Sequence, residues 1–517
     1  MTPPAPAPGK PLVLLAQQPF PTFAEAVGAH YRFVLAAEAD AAAAGEARVL
    51  LVPGLKAVTG ELIGRLPALE LVVATSVGLD HIDLDACRRR GIVVTNAGGS
   101  YTVDSADYAV GLVVAVLRRV AAADSYFRRG RWAADGDYPL ATKHGRTGIH
   151  GCHCLVSTLF SLLPRPRQHK TLGGSCVCGT VVHNPFAQFP GGRDEMAPPP
   201  TQDPAASGRH DGAGKPLVLL ADPLIPEFHP TLSTHYHLLP LASADASTAA
   251  TARTLLTVDL PAVTSDTIAA LPALELVVAS SVGVDHIDLA ACRRRRIRVS
   301  NAGDAYATDA ADYAVGLLVA ALRRVPAADA YVRRRGWVNH GDYPITTKRV
   351  GIVGLGKIGT LVARRLAAFG CTIAYTSRSP KPSSPYAFFP TALALAADSD
   401  VLVLTCALTE ETRHVVNRDV MEALGKDGVL VNVGRGGLVD EPEMVRCLKE
   451  GVIGGAGLDV YENEPDVPEE LFEMENVVLS GHRAVLTPES MREVVETVHG
   501  NLQAFFDGRP LLSPVKL

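Results

Sequence analysis

Short apolar runs alternate with longer amphipathic stretches through the last third of the chain. Val350 to Val353 reads as a short buried strand, and Thr360 to Phe369 has the spacing of an amphipathic helix. Further strands are expected at Cys371 to Thr376, Val401 to Thr405, Gly428 to Val433 and Ile453 to Gly457, with helical patterns between them. This alternation predicts an α/β architecture with a parallel, doubly wound sheet, because parallel neighbours need a crossover connection.

The apolar pattern nearer the N-terminus occurs twice. KPLVLLA begins at Lys10 and at Lys215, LPALEL at Leu66 and Leu271, and GDYP at Gly136 and Gly341, each pair 205 positions apart. Between them VGLDHIDLDACRRR (from Val77) matches VGVDHIDLAACRRR (from Val282). A period of that size marks duplication of a whole folding unit, since solenoid repeats run to about 20–50 residues. The match stops at Lys143, whose partner is Lys348. Copy two continues RVGIVGLGKIG, whereas copy one continues HGRTGIHGCHCLVSTLFSLLPRPRQHK, without a strand-like run or spaced glycines.

Residues 1–9 are therefore read as a disordered tail, 10–143 as a truncated duplicate and 144–214 as a disordered linker. The first copy's strands, and its helix near Ser105 to Arg119, lack their usual packing partners, so partial order is expected of it. Met196-Ala-Pro-Pro-Pro resembles the chain's own start, as a fused pair of tandem paralogues would. In the linker, Cys152-x-Cys154 and Cys176-x-Cys178, with His153 and His183, do not have the two to four intervening residues usual for structural zinc, and no metal site is assigned.

Composition narrows the class. A hydrophobic content of 47% fills real cores. With 49 basic and 54 acidic side chains and a formal net charge of -5, no whole-protein field favours nucleic acid or an anionic membrane. The runs Arg88 to Arg90 and Arg293 to Arg296 read as solvated helix faces. No apolar run approaches the ~20 residues needed to span a bilayer. MTPPAPAPGK has neither a signal-peptide nor a transit-peptide layout, and Val515 spoils the resemblance of the C-terminus to a Ser-Lys-Leu address. Nine scattered cysteines read as reduced thiols, so the cytosol is the expected location.

Between the expected strand at Val350 and the helix after it lies Gly354-Leu-Gly356-Lys357-Ile358-Gly359. In that setting the first glycine allows a tight turn, the second lets backbone approach a pyrophosphate, and the third lets helix and strand pack closely. The phosphates then sit at a helix N-terminus. The next strand ends in Ser377-Arg378-Ser379, with Lys381 behind, where an NAD site would carry a carboxylate for the ribose hydroxyl. Hydroxyls and cations there favour NADPH over NADH.

Three further side chains carry chemistry: Arg435 in NVGRGGLVD, Glu464 in GLDVYENEP and His482 in LSGHRAVLTPES. Singly they read as a surface ion-pair partner, a solvated turn residue and an ordinary histidine. In order with GLGKIG and LTCALTEETRHVVN, however, their contexts resemble the D-isomer-specific 2-hydroxyacid dehydrogenases, in particular the plant-type glyoxylate/hydroxypyruvate reductases. The resemblance covers Lys215 to Leu517.

The resemblance implies two Rossmann-like doubly wound domains: a flavodoxin-like substrate domain from 215–306 plus 484–517, and an inserted NAD(P)-binding domain from 307–483. It implies that Arg435 holds the carboxylate of a small 2-keto acid, that His482 donates the proton and that Glu464 keeps the imidazole protonated. Ser281, Val282 and Gly283 match the carboxylate-binding loop, Asp459 the residue near the nicotinamide carboxamide, and Thr308, Cys406 and Val433 the cofactor-lining stretches. A homodimer is implied, with Ala310 to Arg324 at its interface. The family's proline before the histidine is Gly481 here, which is expected to loosen that loop. The first copy has Ser76-Val77-Gly78 but no counterpart of Gly354, Arg435, Glu464 or His482, so it is expected to be inert alone. Phosphoglycerate or formate dehydrogenase activity, a dinucleotide-sensing protein, and a regulator in which copy one masks the dimer surface stay open as alternatives.

Overall fold

The computed structural model describes residues 10–19, 24, 28–100, 102–135, 214–258, 260–336 and 348–517. The expected tail 1–9, all but the last residue of the expected linker 144–214, and the cysteines and histidines of that linker lie outside the described residues. The chain forms two compact units, one up to Val110 and one from Gly111. The division thus falls inside helix α1 (Thr102–Leu117) and not at the end of the expected duplicate 10–143.

The first unit is a parallel sheet of β1 (Leu12–Leu15), β2 (Arg32–Leu35), β3 (Val49–Val52), β4 (Leu71–Ala74) and β5 (Val93–Thr95), in the order β2-β1-β3-β4-β5. On one face Leu14, Leu50, Val52, Ile63, Leu66 and Val72 form a buried core. The expectation of partial order is corrected for this face: the strands and their short covering helices come from one continuous stretch and need no missing partner. On the other face, among the described residues, Val13, Leu15 and Leu51 are buried, with Phe33, Leu35, Val49 and Val73 partly buried against them.

The second unit contains two parallel sheets. β6 (Leu217–Leu220), β7 (His237–Pro240), β8 (Thr254–Thr257), β9 (Leu276–Ala279) and β10 (Arg298–Ser300) run β7-β6-β8-β9-β10, the flavodoxin-like order. Here both faces are covered, because the long C-terminal helix Pro488–Phe506 returns and lays Val494, Val498, Leu502 and Phe505 on Val218, Leu220, Leu256 and Val278. Among the described residues the first copy has no such helix, and its second face buries fewer side chains.

The larger sheet joins β11 (Arg349–Val353), β12 (Thr372–Thr376), β13 (Ala387–Phe389), β14 (Val401–Leu404), β15 (Val429–Asn432), β16 (Gly455–Leu458) and β17 (Val477–Leu479), in the order β13-β12-β11-β14-β15-β16-β17. The strand order reverses between β11 and β14, leaving a crevice at their carboxyl ends. The strand expected at Ile453 begins at Gly455, and the helix expected from Thr360 starts at Lys357, directly on the glycine turn. β13 and β17 are short edge strands that the apolar pattern did not announce.

Four more helices matter to the site. α2 (Val120–Phe127) and α3 (Arg131–Asp135) follow α1, while α4 (Ala307–Leu322) and α5 (Val325–Arg333) precede the larger sheet. The expected Ala310 to Arg324 helix is α4, buried along nearly its whole length. The arginine runs are not wholly solvated: Arg295 donates to the carbonyls of Leu271 (2.9 Å) and Pro272 (2.7 Å), and Arg90 does the same to Leu66 and Pro67. Among the described residues, no helix is long and apolar enough to cross a membrane, and no cluster of three His, Cys, Asp or Glu is placed to hold a metal ion.

Candidate active site

The glycine turn sits at the crevice. Gly354 has φ +99°, a conformation that L side chains rarely adopt, and a Cβ on it would lie 2.6 to 2.7 Å from Cys406. The turn after β11 and the loop after β14 therefore touch through backbone. Gly359 is equally confined: a Cβ there would run into the Gly354 carbonyl and the Thr405 hydroxyl, which itself donates to that carbonyl at 2.7 Å. Gly356 differs, since nothing lies within 4 Å of where its Cβ would be. It caps the 12-residue helix Lys357–Ala368, and the space beside it is open, as a pyrophosphate cradle at a helix N-terminus requires.

The remaining cofactor candidates lie on loops and helix starts beside this sheet, with one exception that is set deeper. Ser377 donates to the Ser379 carbonyl at 2.7 Å, shaping a short turn after β12 that leaves Arg378 and Ser379 exposed. Cys406 and Val433 follow β14 and β15, and burial pushes the Cys406 thiol up to about 11, so it brings no charge to the crevice. Thr308 is half-buried in the first turn of α4, Ile358 is half-buried, and Lys357 pairs with Asp304 at 2.7 Å.

Asp459 is the exception. It is fully buried at the end of β16, with Oδ1 accepting from the Ser480 hydroxyl (2.6 Å) and Arg483 N–H (3.0 Å) and Oδ2 from Ala484 N–H (2.9 Å). Its place is beneath the loop of residues 480–484, which it organises, and not on the crevice surface. Burial raises its pKa.

The candidate catalytic residues lie on three loops, after β15, β16 and β17. His482 has φ +49°, and its Nδ1 lies 2.8 Å from Glu464 Oε2. Glu464 is fixed by a second bond, Oε1 accepting from Tyr461 N–H at 3.0 Å. Burial alone would lower the imidazole pKa, but the hydrogen bond and charge of Glu464, helped by Asp459, outweigh it and the net shift is upward. The Arg435 charge acts in the opposite direction.

Arg435 leans across to the substrate-domain loop. Its Nε is 3.3 Å from Asp285 Oδ1, and the guanidinium lies so close to Gly283 that a Cβ there would collide with it. The loop is shaped by Ser281 donating to the Gly283 carbonyl (2.7 Å) and Asn301 to the Val282 carbonyl (2.8 Å), while Val282 stays exposed. Sequence reasoning missed Asp285. Its signal was the DHID segment shared by both copies, which gave no hint of an arginine 150 positions later. It also missed the packing of Gly481, which is buried with the Phe127 ring where its Cβ would stand.

A glycine turn at the switch point of one sheet, with an Arg and a Glu–His pair near a second sheet, define a dinucleotide-dependent dehydrogenase architecture. Residues 315–484 match the model for the D-isomer specific 2-hydroxyacid dehydrogenase NAD binding domain, and residues 15–162 match that family's catalytic domain. The chain belongs to the D-isomer specific 2-hydroxyacid dehydrogenases, a family of oxidoreductases. It is 60% identical over 259 residues to a glyoxylate/hydroxypyruvate reductase of Arabidopsis thaliana, covering 49% of this chain and 80% of that protein. It is 51% identical over 255 residues to a hydroxyphenylpyruvate reductase of Plectranthus scutellarioides, covering 48% and 81%. Among solved structures it resembles the NADPH-dependent glyoxylate/hydroxypyruvate reductase of Sinorhizobium meliloti in complex with NADP and malonate, with a TM-score of 0.54 and 36% identity over 58% of this chain and 97% of that one.

Proposed function

We propose that this chain reduces small 2-keto acids, glyoxylate and hydroxypyruvate foremost, to glycolate and D-glycerate with NADPH. The observation that carries the reading is the His482 imidazole held by Glu464 at 2.8 Å, with the Arg435 guanidinium set against the Gly283 loop. The N–H groups at Gly356 and the start of the helix behind it would hold the pyrophosphate, and Ser377, Arg378 and Ser379 a 2'-phosphate, with no carboxylate among them to repel it. When bound, NADPH supplies the hydride.

The chain's own residues do the rest. Arg435, set against the Ser281 to Gly283 loop, binds the substrate carboxylate and fixes the carbonyl. With Nδ1 committed to Glu464, His482 presents Nε2, which has no hydrogen bond among the described residues, to the forming alkoxide and gives it a proton. Glu464 is the group that keeps that proton in place. The thiols suit a reducing compartment, five being free among the described residues, and the cytosol is the location this reading assigns. The homodimer implied by resemblance becomes, in this reading, a pairing of two modules through α4.

Steady-state kinetics of the full chain with glyoxylate, hydroxypyruvate and hydroxyphenylpyruvate, each with NADPH and NADH, test the assignment. His482→Ala is expected to keep NADPH binding and lose turnover by about 10²–10⁴-fold. Equal turnover with NADH would remove the cofactor assignment. NADPH binding without oxidation by any of the acids would favour the dinucleotide-sensing reading.

A further inference from the structure

Residues after Gly111 of the first copy leave their own sheet's unit and join the second. They meet the second copy reciprocally. The Val319 side chain stands where a Cβ on Gly111 would be, and the Val114 side chain stands where a Cβ on Gly316 would be. Gly316 is the duplicate counterpart of Gly111, and Val319 of Val114. Two helices that exchange the same contact in both directions form an isologous pair, the arrangement of a two-fold dimer. Here both halves belong to one chain.

Only one half of this pair has something to hold. Asp124 accepts from the Leu479 N–H at 2.9 Å and from Arg128 Nε at 2.7 Å. Arg128 donates to the Phe472 carbonyl at 2.7 Å and to the Val477 carbonyl. Arg118 donates to the Ala484 carbonyl at 2.7 Å with its guanidinium over the Tyr313 ring. Phe127 and Trp132 meet edge to face, centroids 5.1 Å apart, with Phe127 against Gly481 and Trp132 beside Tyr461 at 5.8 Å. The loop carrying His482 is therefore bonded at both ends and packed in the middle by the first copy.

Among the described residues, the counterparts in the second copy make no comparable bonds. Asp329 and Arg333 are exposed and pair with each other at 2.7 Å, and Tyr331 and Val332 are 41% and 54% exposed. The first copy has no β17 or histidine loop for them to grip. Size points the same way: Gly481 leaves room for an aromatic ring, Phe127 fills it, and the counterpart of Phe127 is Val332. A second chain offering its own α5 would bring the smaller side chain and leave a void beneath His482.

We infer that residues 111–135 are a built-in partner for the catalytic module: they occupy the pairing face of α4 and position the His482 loop, with Asp124, Phe127 and Arg128 as positioning residues. This rests on the assignment of His482 as proton donor, and it replaces a second chain at this face by the first copy. The looseness expected from Gly481 is offset by the ring seated on it.

The test compares duplicate positions in the full chain. Asp124→Asn and the milder Phe127→Val are expected to lower kcat by at least about tenfold, as misplacement of a catalytic group does, with the KM for NADPH within about twofold. Asp329→Asn is expected to leave both unchanged. Hydrogen exchange of the amides at 479–484 should quicken in Asp124→Asn and not in Asp329→Asn. That readout needs no turnover, so failure of the reductase assignment and failure of this inference are separable. An Asp329→Asn effect equal to that of Asp124→Asn would mean that a second chain grips the loop, and unchanged exchange in Asp124→Asn would mean that nothing in the first copy does. Either result overturns the inference.

Discussion

At His482, two opposed effects set the protonation state. Burial disfavours the imidazolium, and Glu464 at 2.8 Å restores it, leaving the pKa raised. Reduction needs the protonated ring, so kcat/KM for the keto acid should hold at low pH and fall as pH rises through the raised value. Glu464→Gln removes the stabilising charge, and the alkaline limb of the pH profile should move to lower pH. An unmoved limb would show that His482 is not the titrating acid. The same sign governs stability: this pairing contributes fully below the unfolded histidine pKa of about 6.5 and is lost as pH rises through the folded one. His482, Glu464 and Arg435 stood out as candidates through the resemblance of their contexts. Asp285 and the burial of Asp459 were not, because a carboxylate's role depends on which donors the fold brings to it.

At the level of elements, the strand–turn–helix around Gly354, Gly356 and Gly359 shows how one spacing meets three demands. Gly354 supplies a positive φ, Gly356 an open face, and Gly359 contact between the first helical turn and the Gly354 carbonyl. Gly359→Ala forces a methyl into that carbonyl and the Thr405 hydroxyl. It is expected to destabilise the chain by about 1–3 kcal/mol, the usual range for overpacking, and thermal melting should show it even without cofactor. These roles could be read from sequence because all three glycines act within one local unit. The edge strands β13 and β17 could not, since three residues carry too little periodicity and their pairing partners are distant.

Across the whole molecule, the two copies share a local pattern and differ in what covers it. On α1, Val116 is 72% exposed and Leu112 and Val113 are partly exposed, whereas their counterparts Ala321, Leu317 and Leu318 are buried under the larger sheet. An apolar stripe of this kind favours self-association. Val116→Gln should raise the concentration at which light scattering detects aggregates, while leaving turnover unchanged and stability within about 0.5 kcal/mol. Higher aggregation in that variant would show that the stripe is already covered in solution.

By itself the sequence determined the duplication, the glycine turn and the alternation of strands and helices away from the sheet edges, and it singled out Arg435, Glu464 and His482 as candidates, because each is written in short-range spacing or in motif order. Only the tertiary structure decided that the duplicate divides at Gly111, that its strands carry an ordered core, and that Phe127 lies on Gly481. The Phe127 to Val332 difference was visible when the copies were aligned, yet it had no meaning until the fold placed a glycine 354 positions away against the ring. Contacts over such separations follow from which surfaces remain unburied after each local unit has formed, and local spacing carries no record of that.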